Sequence, residues 1–154
     1  MIPWYPKAIL AVSAALVLAI ATVPGLRRWA FRVDMRRLVA LHLVRFVGIY
    51  FLYLYTQEEL PYRFAVIGGI GDIIVATLAI FVMLWAPSKP VLLAWNILGL
   101  ADIVSVAVMA ARSEIAVPGS MHQLDRLPLI LLPAVIVPLI VVTHGLMLVR
   151  IARD

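Results

Sequence analysis

Phe64-Ala65-Val66-Ile67-Gly68-Gly69-Ile70-Gly71-Asp72-Ile73-Ile74-Val75-Ala76-Thr77-Leu78-Ala79-Ile80-Phe81-Val82-Met83-Leu84-Trp85 is an apolar run interrupted by a single ionisable residue, Asp72. At about 1.5 Å of helix rise per residue it reaches across the ~30 Å hydrocarbon layer of a bilayer. A helix on the surface of a soluble domain would carry a continuous polar face, and this run has none. In hydrocarbon no water satisfies a stray N–H or C=O, so the run is predicted to be a membrane-spanning α-helix.

Four further blocks read the same way. The predicted spans are 8–23, 38–55, 64–85, 91–111 and 127–149. The expected fold is all-α, a polytopic membrane protein with five transmembrane helices in one compact bundle, and 1–154 forms a single domain. The first block is short and alanine-rich, and it ends at Pro24-Gly25. Its flanks are wrong for a cleaved signal peptide, with only Lys7 before it and a dense arginine cluster after it, so it is read as a true span. Polar residues and helix breakers fill the connectors: Thr56-Gln57-Glu58-Glu59-Leu60-Pro61, Pro87-Ser88-Lys89-Pro90, and a longer stretch containing Pro118-Gly119.

Composition supports this reading. Of 154 residues, 65% are hydrophobic and 14% charged, and the mean hydropathy is +1.09. A soluble domain carries about 25% charge and under half apolar residues. The net charge of +5 does not point to nucleic acid, because five arginines crowd one connector at a membrane edge. There they act as topology determinants and contacts to anionic lipid. The absence of cysteine excludes disulfides, thiolate metal sites and thiol catalysis.

The basic residues also set an orientation. Arg27, Arg28, Arg32, Arg36, Arg37, Lys89, Arg150 and Arg153 fall on one side of the five spans. Lys7, Arg63, Arg112 and Arg126 fall on the other, with Glu58, Glu59, Glu114 and Asp125. The positive-inside rule then expects the N-terminus outside and the C-terminus in the cytoplasm of a bacterial cytoplasmic (inner) membrane. Trp4, Tyr5, Tyr53, Tyr55, Tyr62 and Trp85 lie near span ends, as an aromatic belt requires. Arg28, Arg32 and Arg36 recur every fourth residue, so the first connector is expected to lie on the cytoplasmic leaflet as one interfacial helix with a basic stripe.

Ionisable residues inside a span are costly and face the bundle interior. His42 and Arg45 lie in the second span, Asp72 in the third, Asp102 in the fourth and His144 in the fifth, with Asn96 also in the fourth. From helix rise, Asp72 and Asp102 fall near the midplane with Arg45 close by, while His42, Asn96 and His144 form a second layer nearer the cytoplasm. Helical spacing puts His42, Arg45, Ile49 and Leu52 on one face with Gly48 beside them. Small residues frame the acids: Gly68, Gly69, Gly71 and Ala76 around Asp72, and Gly99 one turn before Asp102. Arg45 is expected to bond Asp72, Asp102 or both.

Gly69-Ile70-Gly71-Asp72-Ile73-Ile74 and Gly99-Leu100-Ala101-Asp102-Ile103-Val104 are alike, and in antiparallel spans they would be related by an axis in the membrane plane, as in some transporters. In the fifth span Pro128 suits a first turn, while Pro133 and Pro138 are expected to kink the helix interior and free carbonyls.

Taken together, Arg45-x-x-Gly48-x-x-Phe51, Leu60-Pro61-x-x-Phe64-Ala65, Gly69-x-Gly71-Asp72, Trp95-Asn96-x-x-Gly99-x-x-Asp102 and Leu127-Pro128 followed by Pro133, Pro138 and His144 resemble a family of small multi-pass bacterial membrane proteins of unassigned function. The resemblance runs from about Leu38 to the C-terminus and leaves the first span outside it. It implies a membrane bundle and carries no activity.

Three functions fit the residues. The buried Arg/Asp/His cluster can fix helix register in an accessory or assembly subunit of a larger complex or homo-oligomer. Alternatively, two carboxylates, an arginine and two histidines can relay protons or bind a cation in a small transporter or channel. In the third reading the chain is a membrane redox protein in which His42 and His144 are axial ligands of haem b or bind a metal, although no cofactor is expected. Serine catalysis is disfavoured, since no G-x-S-x-G elbow occurs and Ser105 is the lone serine near the midplane.

Overall fold

The computed structural model describes residues 2–85 and 88–153, and Pro87 of the third connector lies outside them. Five helices are long and apolar enough to cross a membrane: α1 (Trp4–Thr22), α3 (Met35–Thr56), α4 (Arg63–Trp85), α5 (Lys89–Ala116) and α6 (Leu132–Arg153). A short helix, α2 (Pro24–Arg32), joins the first two.

Two ends of the bundle are tied by contacts between distant segments. At one end Trp4 Nε1 donates to Asp125 at 2.6 Å, the Tyr5 hydroxyl donates to the Ala110 carbonyl at 3.1 Å, and Glu59 accepts from Gln123 at 2.9 Å. At the other end Arg150 donates to the Val33 carbonyl at 2.6 Å, and the Arg153 guanidinium sits 4.8 Å from the Phe31 ring centre. Each end has its own apolar cluster. Tyr5, Phe51, Phe64, Val106, Leu124 and Leu132 pack at the first, and Leu38, Val75, Val82, Trp95 and Met147 at the second. Between the ends the outer surface is apolar, with Leu10, Leu18, Ile74, Leu84 and Ile97 all pointing outward. That pattern suits a hydrocarbon solvent and would be an aggregation hazard in water.

Several elements differ from their sequence-predicted form. The basic stripe of Arg28, Arg32 and Arg36 is cut in two, because the Asp34 carboxylate accepts from the Arg36 backbone N–H and starts a new helix. This is an N-cap, so the chain turns at Val33 and Arg36 belongs to α3. The last helix begins at Leu132, five residues later than its apolar run, because buried Leu129 holds the preceding turn against the first apolar cluster. Pro133 therefore occupies the first turn, where a missing N–H costs nothing. Pro138 alone interrupts the helix interior. A wide turn just ahead of it, with the Val137 N–H bonded to the Leu132 carbonyl five residues back, accommodates its ring.

The second span contains the most consequential departure. Leu41–Phe46 is wound as a 3₁₀ turn, in which side chains three apart eclipse one another. Val39, His42, Arg45, Gly48, Phe51 and Leu54 consequently form one buried line. Ile49 and Leu52, expected beside Arg45, are displaced from that line, and Ile49 is 58% exposed.

Candidate functional site: a buried ion cluster over a histidine pair

The line on α3 aims two polar side chains at its neighbours. Arg45 is 1% exposed and His42 0%. Arg45 Nε donates to Asp72 Oδ1 at 2.7 Å, Nη1 donates to the Gly99 carbonyl at 2.9 Å, and Nη2 donates to Asp102 Oδ2. One guanidinium thus binds α3 to α4 and α5 together. The fork geometry of arginine makes this possible where a lysine point charge would reach fewer acceptors.

Glycines create the space. A Cβ on Gly48 would collide with the Gly69 carbonyl, and one on Gly69 would lie 2.9 Å from the Gly48 oxygen. The backbones of α3 and α4 therefore touch one turn from Arg45, which brings Asp72 within reach. A Cβ on Gly71 would strike the Asp102 carboxylate, so this glycine admits Asp102 to the seam between α4 and α5. The two acids are not equivalent. The Asp72 side chain is 4% exposed and that of Asp102 is 18% exposed. This difference breaks the likeness between the two glycine-aspartate motifs.

The second layer lies directly beneath, joined through Gly99. Its carbonyl accepts from Arg45, while a Cβ on it would lie 2.7 Å from the His144 ring. Asn96 Nδ2 donates to the His144 carbonyl at 3.1 Å, which leaves Asn96 Oδ1 to accept from His144 Nδ1–H. The Thr143 hydroxyl donates to the Ile140 carbonyl at 2.9 Å and lies 3.3 Å from His42 Nε2, so its oxygen accepts from His42. The remaining nitrogens, His42 Nδ1 and His144 Nε2, are buried without a hydrogen-bond partner among the described residues. Trp95 stands edge-on to His42 with ring centres 5.2 Å apart, and its Nε1 donates to the Val75 carbonyl. Thr143 and the Gly99 carbonyl are members of the site that sequence reasoning missed. Only the position of Thr143 beside His144 hints at the first, and nothing in a sequence marks one carbonyl among many.

The histidine pair does not fit a haem. Two imidazoles holding one iron from opposite faces need nitrogens about 4 Å apart and ring centres farther still, given metal–nitrogen distances of about 2 Å. The ring centres of His42 and His144 are 4.2 Å apart at a tilt of 53°, which leaves no slot for a porphyrin. Among the described residues, no group of three or more His, Asp or Glu is placed to hold a metal ion.

A cavity of about 50 Å³ adjoins the cluster, with Arg45 and Asp72 in its wall and Phe51, Phe64, Ile103 and Val137 around the rest. Tyr5 and Leu124 line it toward the end that holds the N-terminus.

No curated protein and no solved structure matches the chain. A family pattern does, and it takes in the first span as well as the rest: over residues 2–152 the chain matches, and so belongs to, the family described as "Domain of unknown function (DUF8737)".

Proposed function

We propose that this chain is a five-span protein of the bacterial inner membrane and an accessory or assembly subunit of a membrane complex. Its N-terminus lies outside and its C-terminus in the cytoplasm. The orientation draws support from charge: the end carrying α2 and the C-terminus holds Arg27, Arg28, Arg32, Arg36, Arg37, Arg150 and Arg153, while acids accompany the few basic residues at the other.

The assembly reading rests on Asp102. Arg45 engages all three of its nitrogens with α4 and α5, a fixed arrangement that locks register. The cluster nevertheless holds two carboxylates against one guanidinium, and Asp102 is the one that keeps some exposure. A partly open carboxylate in hydrocarbon is costly. A neighbouring helix that brings a basic or hydrogen-bonding group to it removes the cost. Photo-crosslinking residues at Leu98 or Ser105, both exposed on α5 near Asp102, are expected to give one discrete adduct that disappears in a folded Asp102→Asn variant. Adducts that are diffuse, or that persist in Asp102→Asn, would contradict the reading.

A second reading, a small proton- or cation-coupled transporter, is favoured by the cavity beside Arg45 and Asp72. The volume admits a few waters, yet its lining is almost wholly apolar, and apolar cavities stay dry. pH-driven cation uptake by proteoliposomes, lost in Asp72→Asn, would establish this reading over the first.

A further inference from the structure

A groove of about 530 Å³ runs between α1 and the α5–α6 pair, and neither Arg45, Asp72 nor Asp102 lines it. Its walls are apolar, among them Val17, Ile20, Leu100, Val142 and Leu146, and Arg27 and Phe31 stand at its α2 end. We propose that it binds one acyl chain of an anionic phospholipid, with the headgroup phosphate held by Arg27 and Arg153. This inference rests on the membrane placement above and is independent of the assembly role.

Three observations carry it. The first is Gly145, which also lines the groove. A Cβ there would meet nothing within 4 Å, whereas Gly48, Gly71 and Gly99 are each pressed against a neighbour. A glycine in a helix interior costs up to about 1 kcal/mol relative to alanine. No backbone approach demands it at this position, and keeping the groove deep accounts for it. The second is that α1 buries only Tyr5, at its far end, so its groove-lining residues Val17, Ile20 and Ala21 stay open on one side, and an apolar groove within a bilayer takes hydrocarbon.

The third observation is charge at the correct end. Phe31 follows Arg27 by one helical turn, and the Arg153 guanidinium stacks 4.8 Å from the Phe31 ring centre. Arg27 lines the groove at this end, and Arg153 is brought to the same end by its contact with Phe31. Paired arginines are suited to a phosphate, whose oxygens accept several N–H bonds at once.

Lipid retention tests the proposal. The full-length protein is reconstituted in vesicles of equal phosphatidylglycerol and phosphatidylethanolamine, extracted in mild detergent, and its co-purifying lipid is quantified by native mass spectrometry. The wild type is expected to retain phosphatidylglycerol preferentially. Arg27→Gln should lower that preference about fivefold, the equivalent of ~1 kcal/mol for one basic residue at an anionic surface, while Arg112→Gln, exposed at the opposite end of the bundle, should leave it near the wild-type value. Gly145→Phe fills the groove and should lose bound lipid of both headgroups with its melting temperature in detergent maintained. Equal effects of Arg27→Gln and Arg112→Gln, or undiminished lipid on Gly145→Phe, would overturn the site. Failure of the wild type to enter vesicles would instead sink the membrane placement on which it rests.

Discussion

The backbones of Gly48 and Gly69 are in direct contact, so that a methyl group on Gly48 would occupy the position of the Gly69 carbonyl. This approach sets the distance between α3 and α4, and with it the 2.7 Å bond from Arg45 to Asp72. Gly48→Ala must push two helices apart or bend one, at a cost of about 1–3 kcal/mol or more. Gly145→Ala, by contrast, adds a methyl group to open space and should be neutral or stabilising by up to ~1 kcal/mol. Thermal melts of the two variants in detergent check this. Equal losses would mean that the close approach is not what the glycines provide.

The histidine layer depends on Asn96, which satisfies both the Nδ1–H and the carbonyl of His144. Asn96→Leu keeps roughly the same volume and strands both groups, each at about 1–3 kcal/mol. Thr143→Val removes only the 3.3 Å contact to His42 and one bond to the Ile140 carbonyl, and should cost less. Melting temperatures should follow that order.

These relationships mark the boundary of what was legible in the residues. The five apolar blocks were plain because hydrocarbon imposes a length and a composition on each. The members of the polar cluster were visible because Arg45, Asp72 and Asp102 have no other reason to sit in such blocks. Their facing on α3 was legible in part: His42 and Arg45 share a buried line with Gly48, as helical spacing expects. A regular helix also puts Ile49 beside Arg45, and the local tightening to three residues per turn at Leu41–Phe46 does not. The end of the basic stripe was legible in principle, since Asp34 two residues before Arg36 is an N-cap signal. The late start of α6 was not, because Leu129 leaves the helical path for a tertiary contact.

At the end of the bundle that holds the N-terminus, Glu59 accepts from Gln123 at 2.9 Å and pairs with His122 at 2.8 Å. These bonds, the one from Gln123 foremost, hold the Glu59 carboxyl below its usual value of 4.5. A depressed folded-state value means that the charged carboxylate stabilises the protein above pH 4.5 and that this contribution is lost as pH falls through the lower value. Glu59→Gln imitates the protonated form. The gap in melting temperature between wild type and Glu59→Gln should be present at neutral pH and narrow as pH falls below 4.5. A gap that does not narrow on acidification would show that the charge is not involved.

The orientation is open to direct labelling, since the chain has no cysteine to remove. Single cysteines replacing Gln57 and Pro118, both exposed in connectors, should react with an impermeant maleimide on intact cells stripped of their outer membrane. One replacing Ser88 should react only after permeabilisation. The reverse pattern would invert the topology.

The central claim is that Arg45, Asp72 and Asp102 form one network in which a single arginine is bonded to both acids. Arg45→Ala strands both carboxylates in the bundle, and breaking a buried pair in this way costs about 3–5 kcal/mol. Asp72→Asn should cost less, because Arg45 keeps Asp102 and the Gly99 carbonyl. Asp102→Asn should cost least, since that side chain is the more exposed. The decisive measurement is the melting temperature in detergent of Arg45→Ala combined with Asp72→Asn and Asp102→Asn, set beside Arg45→Ala alone. The shared network requires the triple variant to recover part of the lost stability, because no unpaired charge remains. A triple variant no more stable than Arg45→Ala would contradict it.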